Sequence, residues 1–203
     1  MAVVTFSFDD GDNSWIKAAR ILEKHGWRGT FNVTLRNVVP DLVKGRSGMF
    51  PLKGVLHRDQ VVWLYKRGHE IASHGLRHLE PSRCNSVELW YELRASKKTF
   101  ESYGVAVTSF ACPFNGFNAA VEKASRGVYR SIRGKVGVNR LPVKGRVYHA
   151  VDNIGYEEVL KRAEKENLWV VLVWHRVKPS KFNLVADYVA GMGLTVKRVG
   201  DMV

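Results

Sequence analysis

Ala2-Val3-Val4-Thr5-Phe6-Ser7-Phe8-Asp9-Asp10-Gly11 is the stretch on which the fold turns. Apolar, β-branched and aromatic residues dominate its first seven positions, beginning almost at Met1; two adjacent carboxylates and a glycine follow. A run of that length and composition, closed by turn-forming residues, reads as a buried strand over 2–8. Just beyond it, Trp15, Ala18, Ala19 and Leu22 fall at i, i+3, i+4 and i+7, the stripe of an amphipathic helix that Gly26 ends.

The same strand–turn–helix unit recurs outward along the chain. Further strands are predicted over 29–35, 69–73, 105–112, 146–151, 168–175 and 194–199. One helix takes Asp59 as its N-cap, carries Val62 and Tyr65 inward and stops at Gly68. A longer one opens at Ser86 and runs through Leu89, Leu93 and Phe100; two more lie over 157–164 and 184–189. Alternation of this kind predicts an α/β fold with a mostly parallel sheet. Seven strands in 203 residues suit a distorted or incomplete (β/α) barrel, since the eight-unit form usually takes about 250 residues. A flat doubly wound sheet is the alternative. With no linker, repeat or low-complexity segment, one domain over 1–203 is expected.

Composition narrows the class. Hydrophobic residues make up 45%, charged residues 25% and aromatic residues 11%, which excludes a disordered chain. No apolar run approaches the ~20 residues of a membrane helix, and the N-terminus lacks the features of a signal peptide. A complete chain would therefore be cytoplasmic, and one from which an export segment was removed would be extracellular. Cys84 and Cys112 are too few for a disulfide framework and lack the spacing of a structural zinc site, so reduced thiols are expected. The net charge is +13, and between Lys123 and Ala150 there are eight Lys or Arg and no acid. That segment reads either as solvated basic loops or as a surface for an anionic polymer, lipid or nucleic acid. It contains no nucleic-acid-binding motif, so no specific nucleic-acid binding is expected.

The chemistry concentrates at strand ends. Asp9 and Asp10 repel one another, and burying both is costly unless a cation sits beside them. One can then ligate the ion while the other takes a proton. The competing reading is simpler: Asp10 or Asp12 caps the helix that starts near Ser14. His74 and His78, four residues apart after another strand, can share one ion; His69 reads as a packing residue. One carboxylate and two imidazoles make three protein ligands and leave positions open, the pattern of a catalytic metal site. Mixed N and O ligation suits Zn²⁺, with Co²⁺, Ni²⁺, Mn²⁺ and Fe²⁺ as alternatives.

Ser7-Phe8-Asp9-Asp10-Gly11 resembles the first motif of the polysaccharide deacetylases, the NodB-homology group of carbohydrate esterase family 4. The stretch from Gly68 to His78 resembles the second motif, Phe110-Ala111-Cys112-Pro113-Phe114-Asn115-Gly116 the third, and Val173-Trp174-His175 the last. The resemblance implies a distorted barrel whose site lies at the C-terminal ends of the strands, where the predicted strands also place Asp9, His74, Cys112 and His175. It implies Asp9 as general base, one divalent metal on Asp10, His74 and His78, the backbone N–H of Phe114 at the oxyanion, and His175 as general acid. Pro113 and Trp174 are candidates for the substrate pocket, and Asp152 is a weak candidate for a fourth motif.

The third motif often begins with an arginine that orients the base, and Ala111 stands there. Arg140 and Arg146 are the substitutes this reading offers. The resemblance implies deacetylation of an N-acetylated sugar, polymeric or lipid-linked and possibly anionic. Alternatives are another amide, such as a formamido sugar or a small cyclic amide, and an inactive metal-bearing module that binds anionic polymer. Oligomeric state is not legible.

Overall fold

The hydrogen-bonding ladder of the first strand explains the architecture. In the computed structural model, which describes residues 1–38 and 54–203, β1 (Val3–Asp10) pairs in parallel on one side with β2 (Thr30–Val33) and on the other with β8 (Leu168–Trp174). Between them stand β3 (Glu70–Ser73), β4 (Ser109–Ala111), β5 (Ser131–Val136) and β7 (Val147–Asp152). The order β1-β2-β3-β4-β5-β7-β8 returns to β1, so seven parallel strands close a barrel. The β8–β1 pairing is incompatible with a flat doubly wound sheet.

Two short strands lie outside this ring. β6 (Asn139–Arg140) runs antiparallel to the start of β8, and β9 (Thr195–Val196) adds to the start of β1. The segment 194–199 is therefore not a barrel strand. The seventh barrel strand is β5, in the stretch read above as basic loops. Its Ser-Ile-Arg-Gly-Lys-Val sequence lacks an apolar face because its alternate residues, Ser131 and Arg133, turn into a polar barrel interior.

Alternation along β1 sets the two environments. Val4, Phe6 and Phe8 face outward into the core beneath the helices, where Phe8 stacks on Phe31 at 4.6 Å and Phe6 on Trp174 at 5.5 Å. Val3 packs inside the barrel with Tyr148, Trp169 and Val171. Above it, Thr5 accepts from Trp169 Nε1 at 2.9 Å and Ser7 Oγ from Asn32 Nδ2 at 2.8 Å. Lower in the barrel, buried Glu70 accepts from Thr30, Ser109 and the Gly200 amide. Thr5, Ser7 and Glu70 thus find partners across the barrel.

The helices cover the outside: α1 (Trp15–Lys24), the four-residue α2 (Leu35–Val38), α3 (Arg58–Lys66), α4 (Ser86–Trp90), α5 (Ser96–Ser102), α6 (Ala119–Ser125), α7 (Tyr156–Glu166) and α8 (Pro179–Gly191). In α3, His57 and not Asp59 is the N-cap, with Gln60 Oε1 accepting the His57 N–H at 2.8 Å. The helix therefore buries Val61 and Leu64, one residue out of step with Val62 and Tyr65. The long helix expected from Ser86 is interrupted by a π turn at Tyr91–Ala95.

His69 is a packing residue with a defined tautomer. Its Nδ1 accepts the Gly29 N–H at 3.1 Å, so its Nε2–H faces Glu23 Oε1 at 3.2 Å. Burial pushes its pKa down to about 4, against an ordinary value of 6.5. The unfolded chain thus takes up this proton near pH 6.5 and the folded chain only near pH 4, so stability falls as pH drops through that window. A loss of about 3 kcal/mol is expected by the lower end. His69→Gln should flatten this part of the pH–stability curve measured by urea denaturation.

Candidate active site

Two chain reversals aim the side chains at one point. After β1, Asp10 adopts φ 89° and Gly11 φ 116°, so Asp9 and Asp10 leave the strand in different directions. Asp9 points into the barrel and is buried; Asp10 sits half-exposed at the rim. A non-glycine residue in this backbone region is strained, and such strain concentrates where geometry serves a site. Neither aspartate caps the helix: Ser14 stands at the N-cap, and Asp12 Oδ1 accepts its N–H at 2.9 Å.

The second reversal follows β3. His74 leaves the strand buried, Gly75 turns at φ 84°, and His78 returns at φ 64°. His74 Nε2 lies 3.5 Å and His78 Nε2 3.0 Å from Asp10 Oδ1. The ligand atoms of Asp10, His74 and His78 all fall within 4.8 Å of one another. Their chemistry fits a divalent ion. His74 Nδ1 is 2.8 Å from the Ala111 carbonyl oxygen, which only accepts, so Nδ1 carries a proton and Nε2 is the ring nitrogen that faces Asp10. Metal-binding histidines are oriented by such an outer hydrogen bond. Burial alone would raise the Asp10 pKa, but hydrogen bonds from His74 and His78 hold it well below the ordinary carboxylate range.

The loop carrying these histidines is fastened by a residue the sequence did not single out. Glu92, buried in the π turn, accepts from the Leu76 N–H at 2.9 Å and from the Arg77 N–H at 3.0 Å, and its Oε1 takes Arg77 Nε at 3.0 Å. A Cβ at position 75 would stand 2.5 Å from Glu92 Oε2, so the positive φ and the carboxylate both require glycine there. π turns of this kind recur at functional sites. Glu92→Ala should weaken metal binding at least tenfold, in the range typical of lost outer partners, with Glu92→Gln recovering part of it. Competition with a chromogenic chelator would measure both.

Asp9 is held by an arginine from the other side of the barrel. Arg133 Nη1 donates to Asp9 Oδ1 at 2.9 Å, and Nη2 donates to Oδ2 in a second, shorter bond. Asn32 Nδ2 adds a donor to Oδ1 at 2.8 Å. Neither Arg140 nor Arg146 fills this role. Arg140 is exposed, and Arg146 reaches the carbonyls of Glu122, Ser125 and Tyr129. Burial pulls the Asp9 pKa upward, but the Arg133 guanidinium, with His74, outweighs it and keeps the carboxyl below the ordinary range. Asp9 is therefore an ionised carboxylate 4.0 Å from His74 Nε2.

A cavity of about 310 Å³ collects Asp9, Asp10, His74, His78, Phe114, Arg133, Asp152 and His175. His175 follows β8, exposed at the cavity rim, with its carbonyl anchored by Trp15 Nε1 at 2.7 Å. Phe114 lies in a turn at φ 55°, its exposed ring edge-on to His78 at 4.7 Å. That turn closes through the amides of Asn115 and Gly116, not that of Phe114. Pro113 is buried beneath it and Trp174 packs against Phe6, Phe8 and Phe182; neither lines this cavity. Both cysteines are free, and burial pushes the Cys112 thiol up to about 12, which removes it as a nucleophile.

A seven-stranded parallel barrel thus carries at its C-terminal rim an Asp-His-His cluster that could hold a metal ion, beside an arginine-held Asp. The family model described as polysaccharide deacetylase matches residues 2–129, and the chain belongs to that family. The match ends before β5, so Arg133 and His175 lie outside it. No curated protein matches the chain by sequence. Among solved structures, a T48 deacetylase with substrate is 15% identical with a TM-score of 0.70, over 99% of this chain and 90% of its own. A peptidoglycan N-acetylglucosamine deacetylase is 14% identical with a TM-score of 0.70, over 98% and 86%. A family 4 carbohydrate esterase pseudoenzyme from Bacillus anthracis is 16% identical with a TM-score of 0.68, over 99% and 65%. At these identities the likeness is one of fold.

Proposed function

We propose that this chain is a metal-dependent deacetylase that hydrolyses the N-acetyl group of a sugar carried on a polymer or a lipid-linked glycan, releasing acetate and a free amine. The observation that carries the reading is the convergence of three metal-binding groups beside a second carboxylate that is buried, ionised and bidentately held.

Asp10, His74 and His78 would hold the ion, with zinc best suited to the donor set. Once bound there, a divalent ion supplies Lewis acidity to the acyl carbonyl and makes a water more acidic. Asp9 takes a proton from the water that adds to the acyl carbon. Arg133 and Asn32 keep that carboxylate in place, and its Oδ2, with one donor, has acceptor capacity left for the water's proton. The Phe114 N–H would donate to the oxygen that gains charge as the tetrahedral centre forms, a role supported by the residue's place in the cavity lining. His175 hands a proton to the nitrogen as the C–N bond breaks, since an unprotonated amide anion is too basic to leave.

Arg133 also bears on the inactive-module reading, which drew support from Ala111: the orienting arginine comes from β5. Part of the basic stretch that favoured polymer binding is taken up within the fold, with Arg133 on Asp9, Arg146 on α6 and Arg130 on the Gly200 carbonyl. Activity is tested by assaying acetate and formate release from acetamido and formamido sugars. Acetate release supports the proposal; formate release alone would replace the acyl group it names.

A further inference from the structure

A second cavity, of about 470 Å³, is lined in part from the same ends of β7 and β8. The chain itself joins the two. Asp152 and His175 line the catalytic cavity, while their neighbours Asn153, Trp174 and Arg176 line the second. Asn153 braces this junction by donating to the Val173 carbonyl at 2.5 Å.

The lining pairs aromatic surface with positive charge. Tyr156 and the exposed Leu184, over the buried Trp174, Phe182 and Val185, form the apolar part, and Arg176, Lys178 and Lys181 are the only charged residues among its lining, with no carboxylate. Arg176 is shared with Asp12, 3.2 Å away. Lys178 and Lys181 are exposed and have no ion pair among the described residues, so their charge is available to a ligand. A neutral sugar would leave these ammonium groups solvated and gain nothing from them. A carboxylate or phosphate would form charge-assisted hydrogen bonds there while a sugar ring meets Tyr156.

Resting on the deacetylase reading, the geometry points to an acidic glycan as substrate: the acetamido group enters the catalytic cavity and an anionic substituent of the same or the adjoining sugar enters the second. The net charge of +13 adds attraction at longer range.

Equilibrium binding and turnover together test this. The probes are the N-acetylglucosamine–N-acetylmuramic acid disaccharide, its neutral methyl ester, N-acetylglucosamine 6-phosphate and N-acetylglucosamine. Calorimetry with the metal-loaded protein should show at least one acidic member binding about tenfold tighter than its neutral counterpart. That ratio should shrink with added salt and fall below about threefold in a Lys178→Gln/Lys181→Gln variant. Preference for the carboxylate or for the phosphate identifies the anion. Equal binding of acidic and neutral members, or a preference unchanged in the variant, overturns the inference. Charge-selective binding without acetate release would overturn the deacetylase reading and leave the acidic-ligand site standing.

Discussion

Replacing Arg133 with methionine is expected to reduce acetate release by roughly 10²–10⁴-fold, the usual worth of a positioned general base. The side chain is buried and makes two bonds to Asp9. Its removal leaves a carboxylate inside the barrel with only Asn32 as a side-chain donor. Breaking a buried pair from one side costs about 3–5 kcal/mol, so the denaturation midpoint should fall as well. Arg133→Lys should recover stability better than rate, because an ammonium keeps the charge but not the fork that sets the carboxylate's angle. Elemental analysis should find both variants still loaded, since neither change touches Asp10, His74 or His78. Unchanged acetate release by Arg133→Met would remove Asp9 from its assigned role.

Asp10→Ala and His74→Ala should each abolish metal uptake and acetate release together. Both losses should exceed the roughly 10–100-fold typical of an outer partner, because a direct ligand is gone. The two substitutions differ in a useful way. Asp10 stands half-exposed at the rim, so its loss should leave the fold intact. His74 is buried and bonded to the Ala111 carbonyl, so its loss should also lower stability, by about 1–3 kcal/mol for the stranded partner and the space left. Circular dichroism and metal analysis on the same samples separate these effects. Full activity in either variant would contradict the proposed ligand set.

How much of this was legible follows from sequence separation. Asp9 and Asp10 are neighbours, and His74 and His78 lie within one turn of chain, so local spacing alone exposes them. Arg133 lies 124 residues from its partner, on a strand whose Gly134 and Lys135 hide any periodicity. Only closure of the barrel brings it to Asp9. The hydrophobic-pattern reading fails at β5 for a physical reason: the barrel interior beside Ser131 and Arg133 is polar, so this strand need not present apolar residues inward. The same polarity hid the roles of Asn32 and Glu70. Glu92 was concealed differently, because a carboxylate on an amphipathic helix reads as solvated until the π turn rotates it inward. Trp174, read from its place beside His175 as a possible pocket wall, is turned by strand alternation away from the cavity of His175 and toward the second one.

The most direct measurement is acetate release from an N-acetylated glycan by the purified protein as isolated, after stripping with a chelator, and after reloading with zinc, cobalt, nickel, manganese or iron. The predicted result is a single ion per chain, loss of turnover on stripping and its return with at least one of these metals. Turnover that survives complete removal of the metal, or no acetate with any of them restored, would contradict the assignment of Asp10, His74 and His78 to a catalytic metal site.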